Sequence, residues 1–284
     1  MVQKETISIL IPVFNEEKSI AATVDSVKKT LAKHPHEIIC IKDGSSDNTL
    51  EILKKIPEIV LISNTYNLGY GASLKKGIRA AKGNWIAITD ADSTYPIDRL
   101  EEMIQHMDTY DMIVGARSGK NVPLMRRPAK AILTLLANIL TGRKIPDLNS
   151  GFRLFKKDVA MEFMHLYPSG FSFTTTITLA CLTNDYTVKY IPVEYYKREG
   201  KSTIKPIRDF VGFLTLIFRI MMYFEPLKFF LAPSIVLILY GLGKAIYEHF
   251  AIGAVSAIPV VFLLAGLQIG FLGLLADLIV KKRR

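Results

Sequence analysis

Trp85-Ile86-Ala87-Ile88-Thr89-Asp90-Ala91-Asp92 is the stretch on which the reading of the fold turns. Its apolar run, Trp85–Thr89, reads as a buried strand, and two carboxylates follow at once. Residues i and i+2 of a strand face the same way. Asp90 and Asp92 are therefore expected to approach one small object at an edge of a sheet. Hard oxygen donors at this spacing suit Mg²⁺ or Mn²⁺, cations that keep several waters and share substrate phosphates. Asp-x-Asp is also a common solvated turn, so its surroundings decide what it means.

Working outward, apolar runs at Ile7–Val13, Glu37–Lys42, Ile59–Ser63, Asp111–Gly115 and Tyr186–Val193 read as further strands. Between them, helical spacing of apolar residues marks Glu16–Leu31, Leu50–Ile56, Tyr70–Lys82, Pro96–His106, Pro128–Leu140, Met161–Leu166 and Thr174–Thr183. Strands alternating with helices predict an α/β domain, a mostly parallel Rossmann-like sheet covered on both faces. Ligands of such sheets sit beyond the carboxyl ends of the strands. Pro12 to Glu16, Asp43 and Asp90 to Asp92 all fall at such ends, although they are far apart in sequence. Glycines ahead of the Tyr70 helix could lie near a phosphate or a base.

The chain has 284 residues, 50% of them apolar and 22% charged, with a mean hydropathy of +0.26. The apolar excess is concentrated beyond Phe229. Cys40 and Cys181 supply neither a disulfide framework nor metal-ligand spacing, and both are expected to be buried thiols. Pro12 interrupts the short apolar stretch near the N-terminus, so no leader peptide is expected there.

The net charge is +10. Between Met112 and Pro146 stand Arg117, Lys120, Arg126, Arg127, Lys130, Arg143 and Lys144, and no acid. A second cluster comprises Lys197, Arg198, Lys201, Lys205 and Arg208. Such patches take polyanions. Nucleic acid is disfavoured, because aromatic residues are not interleaved for base stacking. An anionic membrane or a phosphorylated ligand fits better.

Phe229–Tyr247 and Ile258–Val280 are each long enough to cross a bilayer core of about 30 Å. The short link between them makes a hairpin. Both flanks of the pair are basic, so the positive-inside rule puts the N-terminal domain and the C-terminus in the cytoplasm. Residues 205–226 read as an amphipathic helix in the membrane interface. The expected organisation is a catalytic domain over 1–204, this interface helix, and a transmembrane hairpin over 227–284. Gly266 and Gly270 suit close helix packing, either within the hairpin or between subunits of a homo-oligomer.

Three motifs together, Ile11-Pro12-Val13-Phe14-Asn15-Glu16-Glu17, Asp43-Gly44-Ser45-Ser46-Asp47-Asn48-Thr49 and Asp90-Ala91-Asp92, resemble the GT-A fold glycosyltransferases of family 2. Gly115-Ala116-Arg117, Asn149-Ser150-Gly151-Phe152-Arg153 and Arg198-Glu199-Gly200-Lys201-Ser202 look like the polyprenyl-phosphate hexose synthases within it. The resemblance covers residues 5 to about 205.

It implies an inverting transfer of a hexose from a nucleotide-diphosphate sugar to a polyprenyl or dolichyl phosphate, with Mg²⁺ or Mn²⁺ as cofactor. Pro12, Phe14, Glu16 and Asp43 would hold the nucleoside, and Ile41 would contact the base. Asp90 and Ala91 would bind the nucleotide-sugar, and Asp92, with Asp90, the metal. Arg117, Arg126 and Arg198 would act catalytically on phosphates. The acceptor phosphate would meet Arg117, Arg126, Arg127, Lys130, Lys201 and Ser202.

Relatives acting on GDP-mannose often carry Gln where Thr94 stands, and Lys where Thr203 stands. Both departures favour a UDP-sugar (UDP-glucose or UDP-N-acetylglucosamine). The alternatives are a family 2 enzyme with another membrane or glycan acceptor, and a non-catalytic scaffold that binds nucleotide or lipid. A processive polysaccharide synthase is disfavoured, because Trp85 is the only tryptophan and a Gln-x-x-Arg-Trp motif is lacking.

Overall fold

A computed structural model describes residues 5–117, 127–170, 172–196, 215, 218, 221–223 and 225–281, with the backbone alone described at 127–130, 132–133 and 281. The chain divides into two compact units, Met1–Phe213 and Leu214–Arg284. Most of the expected interface helix, 205–226, lies outside the described residues.

The first unit carries β1 (Ile7–Val13), α1 (Ile20–Thr30), β2 (His36–Asp43), α2 (Thr49–Lys55), β3 (Ile59–Asn64), α3 (Tyr70–Ala80) and β4 (Trp85–Ile88). After a 3-10 turn at Ile97–Arg99 come α4 (Leu100–Ile104), β5 (Met112–Arg117), α5 (Arg127–Thr141), β6 (Arg153–Lys156), α6 (Lys157–Glu162), α7 (Phe173–Thr183) and β7 (Val188–Val193). The seven strands form one sheet in the order β3-β2-β1-β4-β6-β5-β7. All pairings are parallel except those of β6, which runs against both β4 and β5.

This order explains why distant motifs meet. From β1 the chain steps outward to β2 and β3, then returns to β4 on the other side of β1. The carboxyl ends of β1 and β4 therefore flank a topological switch point, where an open α/β sheet leaves a crevice. The first strands are nearly continuous apolar runs because both faces are covered. Ile9, Leu10, Ile11, Ile38, Ile39, Cys40, Ile86 and Ile88 are all buried.

Three expectations are corrected. β6 was not anticipated: Arg-Leu-Phe-Lys offers only two apolar residues between charged ones. Helix α1 begins at Ile20 rather than Glu16, because the preceding residues are used in a loop interlock. And β4 ends at Ile88, so Asp90–Asp92 lie in the turn that follows it, with Ser93 at a φ of 55°. The same-face argument from strand geometry therefore does not apply to the two carboxylates; side-chain anchors place them instead. They also stand at the centre of the sheet's carboxyl end, since β4 is its middle strand.

The second unit is a helical hairpin of α8 (Pro226–Ile252) and α9 (Ala257–Lys281). The apolar spans have mean hydropathies of 1.9 and 2.3, and only 11% and 17% of their most apolar windows are buried, unlike core helices of a soluble protein. They fit a two-span membrane protein. Gly253, at a φ of +76°, ends α8 in the left-handed conformation that glycine adopts without strain. Glu248 closes the link by accepting from Ser256 N and Oγ, at 2.8 and 3.1 Å.

The glycines of α9 face α8. A Cβ built on Gly266 falls 2.6 Å from Ile238 Cγ1, and one on Gly270 falls 2.9 Å from Ser234 Oγ. Ser234 Oγ donates to Gly266 O at 2.7 Å. The small-residue face is thus used inside the hairpin.

Candidate active site

The first two motifs hold one another. Asn15 N donates to Ser45 Oγ (3.1 Å), Glu16 N to Thr49 Oγ1 (3.1 Å) and Glu17 N to Asp47 Oδ2 (3.2 Å). In return, Ser46 N donates to Asn15 Oδ1 (2.8 Å) and Asn48 N to Glu17 Oε2 (3.0 Å). Asn15 takes a φ of 55°, which Asn tolerates better than most residues. Burial pushes the Asp47 carboxyl up, but hydrogen bonds from Thr49 and the Glu17 amide outweigh it and hold it below its usual value. Short polar side chains are needed in both loops because each satisfies backbone amides of the other. Pro12, Phe14 and Glu16 are left partly exposed along the β1 side of the crevice.

Asp43, at the end of β2, is buried and its carboxylate is already engaged. Oδ1 accepts from Asn64 Nδ2 (2.8 Å) and Leu68 N (2.9 Å), and Oδ2 from Gly69 N (2.8 Å). It clamps the approach to α3. Ile41, expected at the base, is fully buried and packs on Gly77 of α3. Ala91 is likewise core: its side chain is buried and its carbonyl accepts from Thr23 Oγ1 at 3.1 Å.

The N-terminus of α3 is also occupied. Gly71 N donates to Gly170 O (3.2 Å) and Ala72 N to Ser169 O (3.0 Å). A Cβ on Gly71 would run into Pro168 O. These glycines serve a close approach of two backbone segments rather than an approaching phosphate.

Asp92 and Asp90 are held by hydroxyls. Thr94 is fully buried; its Oγ1 donates to Asp92 Oδ1 at 2.6 Å and its amide to the same oxygen at 3.2 Å. Thr94 therefore orients Asp92. Tyr70 Oη donates to Asp90 Oδ1 at 3.3 Å. Burial, then the Asp90 charge, pushes the Tyr70 phenol well above its usual value, so it stays a donor at neutral pH.

The antiparallel β6 delivers the remaining parts. Its register sets Arg153 opposite Ile88 of β4 and Val114 of β5, so the 147–151 loop enters at the carboxyl end of β4. Asp147, buried, pairs with Arg117 of β5: Nε to Oδ2 is 2.7 Å and Nη2 to Oδ1 is 3.0 Å. The guanidinium also lies 5.3 Å over the Tyr195 ring. Burial works against the Arg117 charge, but Asp147 outweighs it and raises the pKa above its ordinary value.

Tyr70, Asp147 and Tyr195 carry no signal that sequence reasoning used, and Thr94 entered it only as the residue standing where some relatives carry Gln. Thr94 and Tyr70 stood next to recognised motifs, whereas Asp147 lies 30 residues from its partner. Arg127 and Lys130 belong to the first turn of α5, where only the backbone is described. Arg126, Arg198, Lys201 and Ser202 lie outside the described residues.

Among the described residues no group of three His, Cys, Asp or Glu side chains could hold a metal. The donor set is two carboxylates. It is too small for an all-protein cage, but it fits a hard cation that completes its shell with water and substrate phosphates.

The seven-stranded sheet, with an acidic turn beyond its central strand, is GT-A-like. The glycosyl transferase family 2 model matches residues 8–163, and the chain belongs to that family. The model of the GtrB C-terminal hairpin matches residues 225–281.

Among named relatives, the chain is 29% identical over 213 residues to the low-salt glycan biosynthesis hexosyltransferase Agl6 of Haloferax volcanii. The match covers 72% of this chain and 51% of that protein, so the chain spans about half the length of this relative. It is 25% identical to the dolichyl-phosphate hexose transferase of the same organism, over 71% of this chain and 88% of the relative. It is 26% identical to the undecaprenyl-phosphate 4-deoxy-4-formamido-L-arabinose transferase of Yersinia enterocolitica, over 96% of this chain and 88% of the relative. A solved structure, glucosyl-3-phosphoglycerate synthase from Mycobacterium tuberculosis with Mn²⁺, UDP and glucosyl-3-phosphoglycerate, superimposes with a TM-score of 0.57 at 18% identity. It covers 77% of this chain and 78% of that one, a likeness of fold.

Proposed function

We propose that the protein is an inverting, metal-dependent glycosyltransferase that moves a hexose from a nucleotide-diphosphate sugar to a polyprenyl phosphate on the cytoplasmic side of a membrane. The observation that carries this reading is the pair Asp90 and Asp92, fixed by Tyr70 and Thr94 at the switch point of the sheet. The membrane hairpin argues for a lipid acceptor. Basic flanks on both sides of the hairpin argue for a cytoplasmic site. A UDP-sugar is favoured over GDP-mannose, since the position two residues past Asp92 is a buried threonine turned back onto that aspartate.

Pro12, Phe14 and Glu16 border the nucleoside, while Asp43 shapes its floor from beneath. Asp90 and Asp92 would hold Mg²⁺ or Mn²⁺, which supplies charge neutralisation for the departing diphosphate. An acceptor monophosphate has a second pKa near 6, as phosphoserine does, and is largely dianionic near pH 7. Its oxygen forms the bond to the anomeric carbon as the bond from that carbon to the diphosphate breaks. No proton has to be removed from the nucleophile, so the site needs no general base.

Its task is to bring anions together. Arg117 spends Nε and Nη2 on Asp147, which leaves Nη1 as the edge to offer a phosphate. On this reading Arg126, Arg127, Lys130, Arg198 and Lys201 would supply further cations to the acceptor phosphate, and Ser202 a hydroxyl.

The test is full-length protein in detergent with polyprenyl phosphate, Mg²⁺ or Mn²⁺, and a panel of UDP- and GDP-sugars, scored for lipid-linked sugar. Product is expected with a UDP-hexose and is expected to vanish with EDTA or in Asp92→Asn. Chelator-resistant product overturns the metal role. Absence of product with every donor, beside intact nucleotide binding, supports the scaffold reading instead.

A further inference from the structure

We propose that Gly151 is the seat of the Asp90 carboxylate, and that Tyr95 and Arg153 are positioning residues that hold this seat in place. The inference rests on the reading of Asp90 and Asp92 as cation ligands. It concerns how one of them is aimed.

A Cβ built on Gly151 lies 2.9 Å from Asp90 Oδ2, 3.0 Å from Oδ1 and 3.2 Å from Cγ. Three nearly equal distances mean that the carboxylate lies broadside on the glycine backbone. Carbon so close to both oxygens is not tolerated, so any side chain at 151 must turn or lift the carboxylate. On another side Tyr70 Oη donates to Asp90 Oδ1 at 3.3 Å, long for an O–H donor.

The seat is braced from two directions. Gly151 N donates to Tyr95 Oη at 2.9 Å. Tyr95 is buried, stacked on Phe152 at 5.5 Å and edge-on to Tyr195 at 5.2 Å. On the preceding residue, Ser150 Oγ donates to Gly115 O at 2.6 Å, and its carbonyl receives Arg153 Nε at 3.0 Å and Nη2 at 2.5 Å. The far end of Arg153 ties this loop to α7: Nη1 donates to Thr174 O and Thr178 Oγ1, each at 3.0 Å.

Arg153 is fully buried, and every hydrogen bond it makes goes to a carbonyl, a hydroxyl or a thioether. Desolvating a guanidinium is costly, and an apolar side chain of similar volume often stabilises a core as well or better. A dry cation spent on main-chain carbonyls thus has a use other than stability. Its rigid fork spans Ser150 and Thr174 and fixes the loop that carries Gly151.

The experiment measures free Mn²⁺ by electron paramagnetic resonance as MnCl₂ is titrated into full-length protein in detergent, with UDP and, in parallel, GDP. The variants are Gly151→Ala, Tyr95→Phe and Arg153→Lys, with exposed Asp98→Asn as control. Loss of an outer-shell support costs roughly 10- to 100-fold in metal affinity, and a loss in that range is expected for Gly151→Ala. Tyr95→Phe and Arg153→Lys are expected to weaken Mn²⁺ binding while metal-free nucleotide affinity stays at the wild-type value. That split separates positioning from a general loss of structure. Unchanged Mn²⁺ affinity in folded Gly151→Ala overturns the proposal; should that variant not fold, unchanged affinity in both other variants overturns it. If the wild type binds no Mn²⁺ with either nucleotide, the reading of Asp90 and Asp92 as ligands falls, and this inference with it.

Discussion

Arg117 and Asp147 close a two-toothed ion pair, 2.7 Å from Nε to Oδ2 and 3.0 Å from Nη2 to Oδ1, with the Asp147 side chain only 1% exposed. The arginine that the sequence marks as a phosphate contact is therefore also a structural partner. Removing its side chain takes the ion-pair partner from a buried carboxylate, and breaking a buried pair in this way typically costs about 3–5 kcal/mol. For a unit of this size each kcal/mol is worth roughly 2–4 °C of melting temperature. Arg117→Ala is expected to lose activity and to melt about 10 °C lower, so its activity alone proves nothing about phosphate. The decisive variant is Arg117→Met with Asp147→Leu. It is expected to recover most of the thermal stability, read by differential scanning fluorimetry, and none of the lipid-linked product. Recovered product would confine Arg117 to pairing.

Thr94 hands both its hydroxyl and its amide to one oxygen of Asp92. Thr94→Val keeps the shape and removes the 2.6 Å bond. Support of this kind is worth on the order of tenfold in metal affinity. The expected result is an Mn²⁺ requirement shifted upward by about that factor, with maximal rate at saturating Mn²⁺ nearly restored. A variant with the wild-type Mn²⁺ dependence would remove Thr94 from the support of Asp92.

Cys40 sits inside β2, and burial pushes its thiol up to about 12; burial also raises Cys181. A raised thiol pKa leaves little thiolate at pH 8, and the thiolate is the nucleophile. Native protein is expected to resist iodoacetamide at pH 8 at both cysteines, read as intact mass, and to take up two adducts once unfolded in guanidinium. Rapid labelling of Cys40 in the folded state would contradict its place in the core.

The parallel half of the sheet was legible because its strands are buried on both faces and read as unbroken apolar runs, from Ile7–Val13 to Trp85–Ile88. Both hairpin helices were legible for the same reason, length and apolarity. The antiparallel strand β6 was not, since a four-residue strand bounded by Arg153 and Lys156 has no periodicity to read. Its arginine is inside only because Ser150 and Thr174 carbonyls wait for it there, a tertiary fact. Motif residues were legible as a set but not by role. Asp43 and the Ser45–Thr49 loop look like ligand groups in sequence, yet in the fold they bond chiefly to other backbone segments. Asp147 and Gly151 act on partners 30 and 61 residues away, Arg117 and Asp90, and no local pattern marks such pairs.

Gly266 provides the last prediction, about assembly. Its missing side chain lets α9 approach α8 so closely that an added Cβ would sit 2.6 Å from Ile238 Cγ1 and 3.0 Å from Ser234 O. Small residues at such crossings allow the backbones to meet and the Ser234 hydroxyl to reach Gly266 O. Gly266→Ile is therefore expected to open the hairpin and lower the melting temperature of the full-length protein in detergent. Ser234→Ala is expected to do the same to a smaller extent, since intramembrane hydrogen bonds average only about 0.6 kcal/mol. Neither change should alter the particle mass measured by light scattering, because the glycine face is turned inward. A fall in mass with unchanged thermal stability would mean that the same glycines join subunits, and that the packing of α9 on α8 contributes little to holding the hairpin together.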